Sequence, residues 1–266
     1  MQKYVFRDNF IALAGPFTDW PELLCPACRM RTLEWGERPK IEGLESVAAR
    51  EGAELWDGWR AGYFHGELTC ARVQCRNGYI VLGEWRQCDE PTSQVDLDDD
   101  PYEEGYFIRN ILPPFPLFDL PKNTPLRIKA LLESASRTLL ADANAAANRV
   151  RSAIEVFLDD RGVARIERLA RPTRAGKKTR RKSLDQRLKD FSGRSPKDEK
   201  AGSHLMASKW IGNSGSHGDE PLPLEHVLDG IEIFAHVMYM YYDPYERDVE
   251  RRSRTITRTK GKPIRH

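Results

Sequence analysis

Four of the five cysteines stand in two close pairs, and this pairing constrains the fold more than any other feature of the chain. Cys25 and Cys28 lie in "CPAC", and Cys70 and Cys75 lie in "TCARVQC". Two such pairs about forty residues apart are typical of a tetrahedral zinc site to which each pair supplies two thiolates. Because four thiolates leave no open coordination position, we expect the zinc to be structural and not catalytic.

Two other interpretations of the cysteines stay open, namely buried reduced thiols and the disulfides of a secreted protein. The N-terminal "MQKYVFRDNFIALAGPF" has Arg7 and Asp8 inside its apolar stretch, so it does not predict a signal peptide, and this argues against disulfides. Cys88 lies far from either pair, and His65 is the histidine close enough in sequence to replace a cysteine ligand.

The segments around the second cysteine pair predict a β-hairpin. "HGELTC" is extended, "NGYIVLGEWR" alternates between apolar and polar residues, and Asn77-Gly78 is a turn signal. We interpret the long insert between the two pairs, which carries Trp35, Trp56 and Trp59, as extra strands or a short helix. The sequence therefore predicts a small β domain of the zinc-ribbon type over residues 1–105.

Helical spacing of apolar residues dominates the second half of the chain. The first predicted helix begins with Thr124 as N-cap and Pro125 as first residue, and the second begins near Asp142 and ends at Gly162. The third begins at a capping box of Ser183 and Gln186. The fourth covers Lys197 to Ile211, and the fifth covers Leu224 to Tyr242. These helices predict an up-and-down bundle over residues 106–246, followed by a basic tail over residues 247–266. The predicted fold class is therefore α+β, with the β domain first.

The net charge of +2 conceals a strong segregation of charge. Residues 89–104 form an acidic run, whereas residues 161–200 contain fifteen Lys or Arg against five Asp or Glu. Such segregation favours an anionic partner, nucleic acid first, although a solvated surface is the alternative interpretation. Seven basic residues lie in "RPTRAGKKTRRK", which we expect to be a mobile loop that contacts nucleic acid: Arg171, Arg174, Lys177, Lys178, Arg180, Arg181 and Lys182.

The apolar runs of the chain are too short to span a membrane. One of the longest of these runs, Gly230 to Tyr242, is interrupted by Glu232 and His236. With a mean hydropathy of −0.61 and no signal peptide, we expect a cytoplasmic protein.

The glycine-rich stretch "KWIGNSGSHGD" predicts the end of a helix and a candidate catalytic site. Asn213 and His217 lie four residues apart, and Lys209 lies one turn before Asn213. On an earlier helix, Arg151 and Glu155 are also four apart and are expected to pair. A histidine can act as general base or acid, and a neighbouring cation can hold a phosphate, so these are the minimum parts for metal-independent RNA cleavage. The alternative interpretation is an ordinary turn whose Asn and His satisfy backbone groups.

Two segments resemble the family known as domain of unknown function 4145. The segment from Phe107 to Gly162, with "RSAIE" at Arg151 to Glu155, is similar to that family's proline strap, its two helices and its R-x-x-x-E element. The segment "KWIGNSGSHGDEPLPLEHVLDGIEIFAHVMYMYYD" resembles its iGN-x-x-x-H turn and last long helix. A zinc ribbon is common before this domain, so the resemblance extends from Asp8 to Asp243.

That family is similar to the HEPN superfamily of helical domains, many of them RNases or nucleotide-binding modules of bacterial defence and toxin systems. The resemblance implies a HEPN-like bundle, a homodimer and a defence-system partner protein. Catalytic HEPN members share an Arg, a polar residue after it, and a His four to six residues further on. In this chain Asn213 and His217 match the polar residue and the His, but Gly212 stands at the Arg position. Lys209 or Arg151 must then supply the cation, or cleavage has been lost.

Three functions follow from these expectations. The first is a HEPN-like protein that binds RNA or a nucleotide, with a degenerate or weak nuclease site and a zinc ribbon for docking. The second is an active, metal-independent endoribonuclease that uses His217. The third is a non-catalytic module for protein interaction or dimerisation. Whether the chain is an enzyme is left open at this point.

Overall fold

A computed structural model describes residues 6–52, 59–88, 103–171, 178–217 and 222–261 of the chain, with side chains outside the description at 88, 103, 213–217, 246 and 247. The contacts divide the chain into two units. The sheet unit comprises Phe6–Pro116 and Ser136–Ala143, and the helical unit comprises Leu117–Ala135 and the described residues from Asn144 onward. The predicted α+β fold class is confirmed, because strands dominate the first part of the chain and helices the second.

The sheet unit is built on one antiparallel sheet. Its elements are helix α1 (Arg7–Ala12), strands β1 (Leu23–Leu24), β2 (Thr32–Trp35) and β3 (Lys40–Glu42), helix α2 (Leu44–Gly52), and strands β4 (Ala61–Cys70), β5 (Gly78–Cys88) and β6 (Glu103–Leu112). The strand order is β1-β2-β4-β5-β6, and β3 pairs with the half of β4 that β2 leaves free. The insert between the cysteine pairs therefore contains both extra strands and a short helix, as the sequence predicts.

The predicted hairpin around the second cysteine pair is confirmed. Strand β4 pairs with β5 over a register that runs from Ala61↔Arg86 to Thr69↔Gly78. Alternate residues of β4 are buried, among them Phe64 and Leu68, because successive side chains of a strand point to opposite faces. The buried face gives the unit its core.

The helical unit contains six helices and one small hairpin among the described residues. They are α3 (Leu126–Leu139, whose last turn belongs to the sheet unit), α4 (Ala143–Asp160), strands β7 (Ile166–Arg168) and β8 (Thr179–Arg181), α5 (Leu184–Ser192), α6 (Pro196–His217), α7 (Leu224–Tyr242) and α8 (Pro244–Thr259). The bounds predicted for α7 are confirmed, and its six predicted inward residues are buried: Val227, Leu228, Ile231, Phe234, Ala235 and Met238.

The predicted helix ends are confirmed in two places and corrected in a third. Ser183 and Gln186 form the predicted capping box at the start of α5. Gly162 follows α4 with φ at +66°, a left-handed conformation that stops a helix and favours glycine. Thr124, in contrast, does not cap α3: its Oγ1 has no hydrogen-bond partner in the described structure, and the helix begins at Leu126.

The predicted end of the fourth helix at Ile211 is wrong, because α6 continues to His217. Gly212 is therefore a helical residue and not part of a turn. A β-carbon at this position would lie 2.8 Å from Arg151 Cβ and 3.2 Å from the carbonyl oxygen of Ala147, both on α4. Glycine in a helix costs about 1 kcal/mol relative to alanine. Here the close packing that it permits between α4 and α6 offsets that cost.

The basic segment over residues 171–182, predicted as a mobile loop, is partly regular. Thr179 to Arg181 form β8, which pairs antiparallel with β7. Residues 172–177, including Arg174 and Lys177, lie outside the described residues. The basic tail predicted from residue 247 also has structure, because helix α8 occupies most of it.

None of the helices in the described ranges is both long enough and apolar enough to cross a membrane.

Candidate functional site

The four cysteines of the two pairs converge on one point of the sheet unit. Their sulfur atoms all lie within 4.8 Å of one another. The Sγ atoms of Cys25 and Cys75 are 3.9 Å apart, and those of Cys28 and Cys70 are 3.5 Å apart. None of the four is in a disulfide. In a tetrahedral Zn²⁺ site with Zn–S bonds of about 2.3 Å, neighbouring sulfurs are about 3.8 Å apart. The donor atoms therefore fit a single tetrahedral metal ion.

The backbone brings each pair of sulfurs together in a turn. In the first turn, the N–H of Arg29 donates to the carbonyl oxygen of Cys25 at 2.9 Å. In the second, the N–H of Cys75 donates to the carbonyl oxygen of Arg72 at 2.9 Å. The residue after each turn has a left-handed backbone, with φ at +54° for Arg29 and +44° for Arg76. This conformation reverses the chain directly after the second cysteine of each pair.

The pKa values of three of the thiols are shifted in opposite directions. The backbone N–H of Met30 lies against the Cys28 sulfur and lowers the pKa of that thiol to about 6. Burial raises the pKa of Cys70 to about 12 and also raises the pKa of Cys25. Burial by itself thus resists formation of four thiolates, and a divalent cation at the centre would stabilise all of them.

The remaining candidate ligands do not join this cluster. His65 is exposed on β4, and the metal-ligand cluster found among the described residues consists of the four cysteines alone. The side chain of Cys88 lies outside the described residues. The sequence-based choice of Cys25, Cys28, Cys70 and Cys75 therefore agrees with the geometry.

In the helical unit, α4 and α6 are in close contact, and this contact brings "RSAIE" of α4 next to the glycine-rich stretch of α6. Arg151 of "RSAIE" lies against Gly212, the residue before Asn213. Asn213 and His217 fall on the last turns of α6, one face of a helix, but their side chains lie outside the described residues. The two short motifs, which are about sixty residues apart in sequence, therefore meet at neighbouring helices.

The expected pair of Arg151 and Glu155 does not form. Glu155 Oε2 instead lies 3.5 Å from Arg181 Nη2, on the residue that ends β8. Arg151 is half-buried, its Nε is shielded from solvent, and this atom has no hydrogen-bond acceptor among the described residues. Among the residues that the structure describes, no carboxylate forms an ion pair with Arg151.

Lys209, the other candidate cation, is already neutralised. Its side chain is 4% exposed, and Nζ forms an ion pair with Asp185 at the start of α5. The same Nζ lies 3.8 Å from the ring centroid of Trp210. Burial, the carboxylate and the ring together hold the ammonium group in place.

Four of the basic residues predicted to contact nucleic acid are exposed (Arg171, Lys178, Arg180 and Arg181) and Lys182 is half-buried, but several of them have carboxylate partners. Arg180 pairs with Glu167, and Lys182 pairs with Asp190 at 2.5 Å. Arg171 and Lys178 are exposed at the two ends of the undescribed segment. The predicted basic surface is therefore present on the described part of this hairpin, with its charge partly balanced.

One buried charge was not predicted from the sequence. Arg187 on α5 is 3% exposed; it donates to Asp159 at 2.7 Å and to the carbonyl oxygen of Val163 at 3.1 Å. These bonds hold α5 against the C-terminal end of α4, the helix that also carries Arg151. The position of Arg187 in "LDQRLKDF" gives no sequence signal of this role, because an arginine in a short helix is usually solvated.

Comparison with known families matches residues 133–259 to the model described as Domain of unknown function (DUF4145). This match supports the family resemblance of the helical part of the chain. Comparison with curated proteins and with solved structures found no match.

Proposed function

We propose that this chain is an RNA- or nucleotide-binding protein of HEPN-like type and that Arg151 holds a phosphate of the ligand. One observation carries this proposal: Arg151 is a half-buried arginine without a described carboxylate partner, beside the segment that contains Asn213 and His217. The planar guanidinium group matches a phosphate group in charge and in hydrogen-bond geometry.

The neighbouring charges support the choice of Arg151. Glu155 is engaged by Arg181, and Lys209 is engaged by Asp185. Within the described part of this region these charges therefore cancel in pairs, and Arg151 adds a positive charge. A phosphate would compensate this charge at the terminal nitrogens, and Arg181 on β8 would lie on the same side of α4 to meet the rest of a polyanion.

Salt-dependent binding of a short, fluorescein-labelled single-stranded RNA tests the proposal. We expect Arg151→Gln to weaken binding about tenfold, because a hydrogen-bonded charge contact contributes about 1.5 kcal/mol. Arg149→Gln is the matched control, since Arg149 is an exposed arginine two residues away on the same helix. Equal affinities of the wild-type protein and Arg151→Gln would refute the proposal.

An active, metal-independent endoribonuclease is the second candidate function, and the contact at Gly212 favours it. A side chain at position 212 would collide with α4, so an arginine cannot occupy the place that the HEPN pattern gives it. Arg151 lies at that same place from the neighbouring helix. In this mechanism His217 removes the proton of a ribose 2′-hydroxyl, the 2′-oxygen attacks the adjacent phosphorus, and the 5′-oxygen leaves and takes up a proton from water. The products are a 2′,3′-cyclic phosphate and a 5′-hydroxyl.

Cleavage of labelled RNA in the presence of EDTA tests this second function. We expect His217→Ala to abolish cleavage without loss of RNA affinity, and Arg151→Gln to reduce both. Unchanged cleavage by His217→Ala would exclude His217 as the catalytic base. RNA binding without any cleavage by the wild-type protein would leave the binding function and remove the nuclease.

We also propose that Cys25, Cys28, Cys70 and Cys75 hold a structural Zn²⁺ ion. The separation of their sulfurs and the paired turns support a tetrahedral site. With the metal bound, this part of the sheet unit would be a zinc-ribbon-like docking element. The association with bacterial defence or toxin systems is part of the same proposal and rests on the family resemblance.

A further inference from the structure

Helix α8 has little support from the rest of the helical unit. Its first half is tied to the body through Glu250, which pairs with Lys197 near the start of α6. After Glu250, nearly every residue to Gly261 is exposed. A helical segment of this length without tertiary packing is marginal in water. A bound ligand would therefore stabilise the part of α8 that follows Glu250.

Three arginines of α8 form a row. Arg251, Arg254 and Arg258 follow the spacing i, i+3 and i+7, which places them on one face of the helix. They line a cleft of about 340 Å³ together with Glu250 and Thr255. The row extends about 10 Å along the helix axis. We call these three residues the arginine row.

The charge of this segment is strongly positive. Residues 251–261 contain five Lys or Arg and no Asp or Glu. Two members of the arginine row have exposed partners within α8: Arg251 lies 3.0 Å from Asp248, and Arg254 lies 3.8 Å from Glu250. Such exposed ion pairs are weak, so a phosphate can replace them at small cost. Arg258 has no ion-pair partner in the described structure.

We propose that the arginine row is a second phosphate-binding surface and that it binds the sugar-phosphate backbone of a nucleic acid. Arginines at one-turn spacing can each contact a phosphate, and the cleft between them has room for phosphate oxygens. The Glu250 charge at the base of the cleft is compensated by Lys197, so it does not repel the ligand. The ligand class rests on the proposed function, but the surface is separate from Arg151.

Ligand binding also orders the end of α8. Residues 255–259, "TITRT", include four β-branched residues, which have low helix propensity. Compensation of the arginine charges removes the repulsion along the row and stabilises this helical turn. We expect the circular dichroism at 222 nm to become more negative when RNA binds.

The experiment compares the full-length protein with a triple variant, Arg251→Gln, Arg254→Gln and Arg258→Gln. Affinity for a short single-stranded RNA is measured as a function of salt. We expect the slope of log affinity against log salt to fall by about two units, because each single-strand phosphate contact contributes about 0.7. The control is Arg50→Gln, Arg86→Gln and Lys189→Gln, which removes the same charge from exposed sites on other elements and should retain the slope within about half a unit.

The outcomes separate this inference from the proposed function. A normal slope for the arginine-row variant, with weakened binding by Arg151→Gln, would overturn the inference and leave the proposed function intact. A reduced slope for the arginine-row variant, with no effect of Arg151→Gln, would support the inference and reject the Arg151 site. Equal loss in the control variant, or binding of anionic phospholipid vesicles without binding of RNA, would also overturn it. Because the altered residues are exposed, the melting temperature should stay unchanged and confirms that each variant is folded.

Discussion

Gly212 of α6 lies so close to Arg151 of α4 that a β-carbon on the glycine would lie 2.8 Å from the β-carbon of the arginine. The contact has two consequences. It sets the distance between the helices, and it places Arg151, which has no carboxylate partner among the described residues, next to the segment that contains Asn213 and His217. The absence of a side chain at position 212 therefore leaves room for Arg151 of the neighbouring helix.

We expect Gly212→Ala to destabilise the helical unit by about 2 kcal/mol. The added methyl group would contact a β-carbon and a backbone carbonyl oxygen, neither of which can move without the helix, and overpacking of this kind outweighs the gain in helix propensity. The measurement is urea unfolding followed by circular dichroism at 222 nm. Gly193→Ala is the control, because a β-carbon there would lie 3.7 Å from its nearest described neighbour, the Lys189 carbonyl oxygen, which is an ordinary contact distance. Greater stability of Gly212→Ala would contradict the packing argument.

We expect Lys209 to be a structural residue and not a ligand contact. Asp185→Ala should destabilise the protein by about 2 kcal/mol, because it leaves a buried ammonium group without its carboxylate. Lys209→Met should cost less, since Asp185 can then be solvated and the methionine fills the space beside Trp210. Both folded variants should bind RNA with the wild-type affinity. If folded Lys209→Met binds RNA tenfold more weakly, the phosphate contact must be assigned to Lys209 and not to Arg151.

We expect purified protein to contain one zinc ion per chain, measured by mass spectrometry of the metal. Cys25→Ser should lose the metal and lower the melting temperature of the sheet unit, because a structural zinc site contributes directly to folding free energy. Cys88→Ser should retain the metal and serves as the control. Removal of zinc with a chelator should reproduce the effect of Cys25→Ser. Full metal content in Cys25→Ser would contradict the assignment.

We expect the four-cysteine site to lose its metal ion in acid. Protons compete with the metal for the thiolates, and burial raises the pKa of Cys70 and Cys25. Zinc affinity should therefore fall as pH is lowered, with release of protons on binding, which calorimetry in buffers of different ionisation enthalpy measures. A zinc affinity independent of pH would exclude thiolate ligands.

We expect Asp159 to contribute stability that disappears in acid. Its hydrogen bond from Arg165, together with the charge of Arg187, holds the pKa of this carboxyl below its usual value. The folded protein thus binds the proton less readily than the unfolded chain, so the contribution is complete above the unfolded pKa of about 3.9 and is lost below it, as pH falls through the lower pKa of the folded protein. Urea midpoints of the wild-type protein and Asp159→Asn should differ at pH 7 and approach each other as pH falls below about 4. A constant difference over this range would contradict the linkage.

The elements that the sequence predicts correctly are those with local signals. The β4–β5 hairpin follows from alternation and a turn signal, and α7 follows from apolar residues at helical spacing over nineteen residues. The capping box of Ser183 and Gln186 needs only a spacing of three residues. Each of these signals lies within one element, so no long-range contact is required to interpret it.

The errors concern residues whose role depends on a neighbouring element. Gly212 has the local character of a helix breaker, yet α6 continues through it because α4 lies against it. Glu155 has Arg151 four residues before it, yet it pairs with Arg181 of β8. In both cases a contact with another element is stronger than the local preference, and a single sequence carries no record of that contact.

By itself, therefore, the sequence determined the α+β class, the long hairpin, most helix bounds and the four cysteines that could share a metal ion, because spacing and periodicity express these properties locally. Only the tertiary structure decided that the four sulfurs lie within 4.8 Å, that Lys209 pairs with Asp185 and that Arg151 has no carboxylate partner among the described residues. The physical reason is that the charge balance and metal geometry of a site depend on side chains from distant segments, whose distances are set by packing.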